Sequence, residues 1–421
     1  MTVKRLVVAV LASIVCCWAI WQAARVGLAR TFAEKAVPIN QVDADRAIFF
    51  SPNDAETHTA RGDVMQVIGE YEQARIEFER AVQLRPRDYY LWLMLGVMRD
   101  QNHDQDGALR ALRQAEILAP AYAQPRWQLG NLLLRMGRVD DAFAELRKAA
   151  LSDPVLLPNV IDLAWGVYGH DVQAVLTVLQ PERDEARLAL ALFFAQNNQA
   201  RAAVDQFLLT KTASEAKGEA LLGELLKARA FSEAYHVWER VRGIDPANAI
   251  SVVRDGGFES SIAVGQPGFG WQITPNISNV LMSVDAGEHH GGARSLRIDF
   301  RGDSNPQVPF LTQLVLVKPQ THYRLTFAAM SKEFVSAAAP MVTVTDASDQ
   351  KNVVLAQSPP LGSNIVSWRD FAVEFTTNSE TQAIAIAVSR QSCHNDPCPA
   401  FGAVWLDSFS IEARTGEVAR P

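Results

Sequence analysis

Residues 89–120 read YYLWLMLGVMRDQNHDQDGALRALRQAEILAP, and their pattern recurs on either side at a step of 34. Pro52, Pro86, Pro120 and Pro154 keep that step, as do Gly62, Gly96 and Gly130. So do Ala74, Ala108 and Ala142, and Ala81, Ala115 and Ala149. Four residue classes in one register over three copies are not an accident of composition. A period of this length, with small residues at fixed slots and a closing proline, predicts stacked helix-turn-helix pairs.

Each slot has a physical reading. The glycines sit where the first helix of a pair crosses the second, and Ala74, Ala108 and Ala142 answer them from the second helix. Phe78, Leu112 and Leu146 follow four residues later, and Ala81, Ala115 and Ala149 three beyond, which is an amphipathic stripe. Pro86, Pro120 and Pro154 then end the second helix, since proline lacks an N–H and clashes with the preceding turn. The middle copy, with Trp92, Leu95, Gly96, Ala108, Leu112, Ala115 and Pro120, resembles the tetratricopeptide repeat. That resemblance implies a concave groove for a protein partner and no particular chemistry.

Outward from these copies the pattern continues less regularly. Asn40, Ala44, Ala47 and Pro52 fall in the register of a second helix and form a half-repeat. Beyond Pro154, Leu163, Ala164 and Val167 suggest a first helix, and residues 173–179 a shortened second one. Leu190, Ala191, Phe194, Ala203 and Phe207 make a clearer copy. Ala234, Trp238, Val241 and Pro246 close the array after a shortened step of 31 from Ala203 to Ala234. An all-α solenoid of five or six repeats is expected over residues 37–247.

Before it, Lys4 and Arg5 precede an apolar run from Leu6 to Trp21. Residues 1–30 read as an uncleaved transmembrane anchor, with a cleaved signal peptide as the alternative. No Ala-x-Ala site follows the run, which favours the anchor. Cys16 and Cys17 are then membrane residues without a chemical role. Positive charge ahead of the run keeps the N-terminus in the cytoplasm. The expectation is a single-pass bacterial inner-membrane protein with the bulk of the chain in the periplasm.

Composition changes at Ile250. Leu296, Ile298 and Phe300 alternate with polar residues, as do Tyr323, Leu325 and Phe327, then Phe371, Val373 and Phe375, and Ile384, Ile386 and Val388. Many short strands punctuated by Gly291-Gly292 and Pro359-Pro360 predict an antiparallel β-sandwich over residues 250–415. Gly256-x-Phe258-Glu259, Gly292-x-x-Ser295-Leu296, Pro319-x-x-x-Tyr323 and a closing Asp407 resemble the carbohydrate-binding modules of the galactose-binding-like jelly-roll type. The match covers residues 253–412.

The resemblance implies a structural calcium ion where Glu259 and Asp407 meet; otherwise both are surface carboxylates near a strand end. Cys393 and Cys398 bound the short loop Cys-His-Asn-Asp-Pro-Cys, and a disulfide there suits an oxidising compartment. A metal site from the two cysteines and His394 is the alternative. Sugar recognition needs an aromatic platform, and Trp271, His289, His290 and Trp368 are the candidates. Each has a plainer account: Trp368 as core, His289-His290 as a solvated loop, and Trp271 as either core or a rim residue placed by the loop 265–270.

A net charge of −7 over 421 residues gives no reason to expect nucleic acid. Phosphate loops, His-Glu-x-x-His and Gly-x-Ser-x-Gly are missing, so the chain reads as non-enzymatic. These features suggest an envelope scaffold. Its repeats would hold a protein and its sandwich would touch glycan, as in exopolysaccharide or O-antigen assembly. The alternatives are a protein-only adaptor whose sandwich caps the solenoid or binds a second protein, and an accessory domain set for a carbohydrate-active enzyme on a separate chain.

Overall fold

The computed structural model describes residues 3–414 apart from 213, 245–249, 261, 265, 307, 364 and 394–396. The chain divides into two compact units, Met1–Pro181 and Glu182–Pro421. In the first unit, helices pair in order: α1 (Val3–Ala36) with α2 (Gln41–Phe50), α3 (Ala55–Val67) with α4 (Tyr71–Leu84), and α5 (Tyr89–Gln101) with α6 (Gln105–Leu118). Then α7 (Ala123–Arg135) pairs with α8 (Val139–Ser152), and α9 (Leu157–Val167) with α10 (Val172–Leu179).

The repeat slots do what small residues do. A Cβ at Gly62 would lie 2.9 Å from the Phe78 ring, at Gly96 2.6 Å from Leu112 Cγ, and at Gly130 2.6 Å from Leu146 Cγ. Ala74, Ala108 and Ala142 are fully buried opposite them. The turns within these pairs also keep the 34-residue step. Gly69, His103 and Gly137 all have positive φ, at 85°, 63° and 74°. The N–H that follows each donates to the carbonyl five residues back, as Glu70 does to Met65 and Asp104 to Arg99, which closes the helix end.

The first helix does not stop at residue 30. Among the described residues α1 is the one helix long and apolar enough to cross a membrane, and it runs unbroken to Ala36. Ala29, Ala33 and Ala36, spaced i, i+4, i+7, are buried in its last turns. Ala33 meets Ala47 and Ala60, and Ala36 meets Ala44 and Val64. The end of α1 is therefore the missing first helix of the half-repeat. At the other end, Pro154 opens a 3-10 turn, Pro154–Leu156, before α9. There Val160, Ile161, Ala164 and Trp165 face inward and Val167 does not.

The second unit begins with two more pairs, α11 (Asp184–Gln196) with α12 (Ala200–Leu208) and α13 (Glu215–Lys227) with α14 (Phe231–Arg242). Pro246 lies outside the described residues. The sandwich follows. One sheet has the order β1 (Ala263–Val264), β2 (Gln272–Ile273), β5 (Leu311–Leu316), β10 (Ala383–Arg390), β7 (Pro340–Asp346), β8 (Val354–Gln357). The other runs β3 (Val280–Asp285), β4 (Ser295–Asp303), β11 (Pro399–Ala413), β6 (His322–Ser336), β9 (Arg369–Thr376). All the strand pairs are antiparallel except β1 with β2. The predicted alternation forms the core: Leu296, Ile298, Phe300, Tyr323, Leu325, Phe327 and their partners in the facing sheet pack together.

The last helix pair packs on this sandwich. Phe269 meets Tyr235 edge to face at 4.9 Å and Trp238 at 5.8 Å. A Cβ at Gly268, whose φ is +145°, would strike the Trp238 ring at 2.3 Å. Arg229, at the turn before α14, donates to the carbonyls of Ala347 and Asp349.

Candidate functional site

Strand alternation decides what the five-stranded sheet shows outward. With Leu296, Ile298 and Phe300 of β4 in the core, Arg297, Asp299 and Arg301 face out. On β11, Val404 and Leu406 point inward and Phe401, Ala403 and Trp405 outward. Trp405 stands between Arg297 of β4 and Met330 of β6 in the ladder. Trp405 is only 3% exposed, with Met330, Ala403 and Trp368 packed against it and charged side chains over its ring. The Arg297 guanidinium lies 5.1 Å from the ring centroid and the Lys332 ammonium 5.6 Å.

Hydrogen bonds hold the cover in place. Trp405 Nε1 donates to Asp285 Oδ2 at 2.8 Å, and Arg297 pairs with Asp299 at 2.7 Å. Lys332 pairs with Glu288. The indole N–H, foremost, holds the Asp285 carboxyl below its ordinary range, with the Gly287 N–H and Arg297 adding to it. Further along β11, Phe401 is 52% exposed between Arg301 and Val335. The face thus offers an open ring, a covered ring, and cations and carboxylates interleaved between them.

The four sugar candidates from the sequence separate. Trp271 is a correction: it is 4% exposed and belongs to the core. Its ring stacks on Phe258 at 5.2 Å and meets Phe409 at 5.0 Å, while Nε1 donates to the Asp255 carbonyl at 3.0 Å. Three aromatics closing on one another outweigh the turn-like loop that suggested a rim position. Trp368, by contrast, is half-buried against Met330, Ala403 and Trp405 on the outer face. His290 joins it, the two rings 5.7 Å apart, with His290 Nδ1 3.1 Å from Ser408 Oγ. His289 is exposed beside it. Trp405 and Phe401 escaped the sequence reading, although the odd–even alternation of residues 401–406 carried the signal.

Glu259 and Asp407 do come together, around the loop 290–294. Asp407, with no exposure at all, accepts from the His290 N–H at 2.7 Å and the Gly291 N–H at 3.0 Å through Oδ2. Glu259 Oε1 accepts from Ala293 at 2.8 Å and Arg294 at 3.3 Å. A Cβ on Gly257 would lie 3.6 Å from Asp407 Oδ1 and 3.7 Å from Glu259 Oε1, so the two carboxylates flank one position. Glu259 precedes β1 and lies in no described strand. Among the described residues no set of three or more acidic, histidine or cysteine side chains gathers there. An ion held by this pair would complete its six to eight oxygens from backbone carbonyls and water.

Cys393 and Cys398 are joined, with Cα atoms 6.1 Å apart. His394 lies outside the described residues. Beneath the bridge, buried Arg390 donates to the Ala338 carbonyl, Ser304, Ser336 and Cys398 Sγ.

The first unit has a groove of about 430 Å³ between α1, α3 and α5. Acids and arginines share its wall with Val37, Leu91 and Tyr90.

Helix pairs at a step of 34 and a two-sheet antiparallel sandwich define the class, a tetratricopeptide-type solenoid joined to a carbohydrate-binding-module-type domain. Residues 251–397 match the family model described as "Carbohydrate binding domain". No curated protein matches the chain. Among solved structures, MamA is similar at 18% identity and a TM-score of 0.29, covering 46% of this chain and 90% of its own. PilF of Pseudomonas aeruginosa is similar at 15% identity and a TM-score of 0.29, covering 55% and 94%. YrrB, described as a TPR protein with an unusual peptide-binding site, stands at 18% and 0.28, covering 51% and 90%.

Proposed function

We propose that this chain is a membrane-anchored, non-catalytic scaffold of the bacterial envelope. Its repeats hold a protein partner, and the outer face of the five-stranded sheet holds glycan, as in exopolysaccharide or O-antigen assembly. The observation that carries the glycan half is the gathering of Phe401, Trp405, Trp368 and His290 on one sheet face among Arg297, Asp299 and Lys332. Sugar rings present C–H faces to aromatic rings and hydroxyls to charged groups, and this surface has both. The ion pairs covering Trp405 are partly exposed and weak, so a ligand displaces them at low cost. The apolar length of α1 supports the anchor, and the disulfide supports an oxidising compartment outside the cytoplasm.

The test is a polysaccharide array probed with the full chain in detergent, beside a variant carrying Phe401→Ala and Trp368→Ala. Binding by the parent and not by the variant supports this reading. No binding by either favours the protein-only adaptor, for which the near-complete cover over Trp405 is the motivating observation.

A further inference from the structure

We propose that the groove between α1, α3 and α5 takes a partner peptide by a lysine or arginine side chain, held by Asp63 and Glu34 against the ring of Tyr90. The proposal rests on the reading of the repeats as a protein-binding surface and names what that surface selects.

The charges of the groove do not balance. Arg30 and Arg85 line it, and both are committed to the same two acids. Arg30 reaches Asp54 at 3.2 Å and Glu56 at 2.8 Å; Arg85 reaches Asp54 at 3.4 Å and Glu56 at 3.8 Å. Arg61, also on α3, is taken by Asp45 and Glu77. Asp88 accepts the N–H of Tyr90 and caps α5. That leaves Glu34 on α1 and Asp63 on α3 with no hydrogen bond or ion pair among the described residues. Burial alone pushes the Asp63 carboxyl up to about 6, the shift of an acid that lacks a counter-charge. Tyr90 lines the same groove, and its hydroxyl is pushed up first by burial and then by Asp63.

Nothing in the repeat demands that acid. One period after Asp63 stands Val97, and a period after that Asn131, which donates to its own helix at Trp127. The slot tolerates apolar and neutral residues, so the carboxylate is particular to this groove. Likewise Tyr90 occupies a slot filled by Glu56 one period before and Gln124 one period after. An unpaired carboxylate pair, an aromatic face and an apolar wall from Val37 and Leu91 complement a cation on an aliphatic stem. A lysine or arginine side chain has that shape.

The experiment uses the full chain in detergent and three fluorescein-labelled decapeptides of Ala, Ser and Gly. These carry Lys-Ala-Lys, Gln-Ala-Gln or Glu-Ala-Glu at their centre and are followed by anisotropy at pH 8 and low salt. The lysine peptide is expected to bind at least about tenfold tighter than the glutamine peptide, the scale of one charge-assisted hydrogen bond. Asp63→Asn removes the preference without lowering the melting temperature, and Asp106→Asn, an equal charge change on α6, leaves it intact. The preference also shrinks as pH falls from 8 to 5 and Asp63 takes up its proton. Equal affinity for the three peptides, or a lysine preference indifferent to Asp63→Asn, overturns the proposal while leaving the repeats as a protein surface. Failure of all three peptides to bind overturns it too. The broader reading falls only if the detergent-extracted chain retains no protein partner.

Discussion

His58 Nδ1 and Glu77 Oε2, 19 residues apart on the two helices of one repeat, meet at 2.6 Å in a buried setting. The same separation joins Arg126 to Glu145 at 2.8 Å and Arg187 to Gln206 at 3.5 Å. His58 also reaches the Pro52 carbonyl through Nε2 at 2.9 Å. One and two periods on, Trp92 Nε1 donates to Pro86 at 2.9 Å and Arg126 to Pro120 at 3.3 Å. Three unlike side chains therefore tie the start of each first helix to the proline carbonyl before it, and only one of them titrates near neutrality.

That one gives the α3–α4 repeat a pH dependence. The Glu77 hydrogen bond, foremost, raises the His58 imidazole above its ordinary value, and burial opposes it. A raised folded value means that protonated His58 stabilises the fold fully below the unfolded value of about 6.5. The contribution is lost as pH climbs through the folded value. The melting temperature should fall between pH 6 and pH 9, and His58→Trp should flatten that fall while keeping the bond to Pro52. Glu77→Ala leaves the buried Nδ1 of a neutral imidazole without a partner and should cost about 1–3 kcal/mol. Equal pH slopes for parent and His58→Trp would remove this role.

Gly96 and Gly223 separate a glycine needed for packing from one that is merely present. A Cβ at Gly96 meets Leu112 Cγ at 2.6 Å, whereas at Gly223, inside α13, it meets nothing within 4 Å. Gly96→Ala should destabilise by about 1–3 kcal/mol through overpacking. Gly223→Ala should stabilise by about 0.5–1 kcal/mol through helix propensity alone. Chemical denaturation of the two variants checks both signs, and matching signs would show that close approach at Gly96 is not what the slot protects.

Phe401 tests the glycan face without touching the core. Its exposed ring makes Phe401→Ala near neutral for stability, within about 0.5 kcal/mol. Affinity for whichever polysaccharide the array identifies should drop by about 0.5–1.5 kcal/mol, the worth of one stacked ring. Calorimetric titration of parent and variant measures it, and unchanged affinity would move the binding site off this face.

Calcium, if the pair Glu259 and Asp407 holds it, stabilises only the folded chain, by about 2.7 kcal/mol at a hundredfold excess over Kd. The full chain should then melt higher in calcium than in chelator, and Glu259→Gln should abolish the difference. Asp407→Asn should destabilise in either condition, because the buried carboxylate also accepts backbone N–H groups from His290, Gly291 and Ser408. Identical melting of the parent in calcium and in chelator would leave the carboxylates with their loop-pinning role alone.

Much of this was legible from periodicity. A step of 34 with Gly96 opposite Leu112 implies a close helix crossing before any coordinates, because only a side chain that stops at the backbone permits it. Alternation on β4 and β11 likewise determines which residues share a face. Trp405 was readable on that ground as an outward residue. Its cover of Arg297 and Lys332 was not, since those residues come from separate strands far off in the chain.

The sequence by itself determined the two halves of this protein, because helix and strand periods are local properties of the chain. It also determined that Ala44 and Ala47 needed a partner helix. Only the tertiary structure decided that the partner is the end of the long apolar helix, and that Trp271 is sealed between Phe258 and Phe409 while Trp368 is left on the sheet face. It alone left Asp63 without a counter-charge in the groove. Burial and charge balance depend on what distant segments bring to one place, and no local period encodes that.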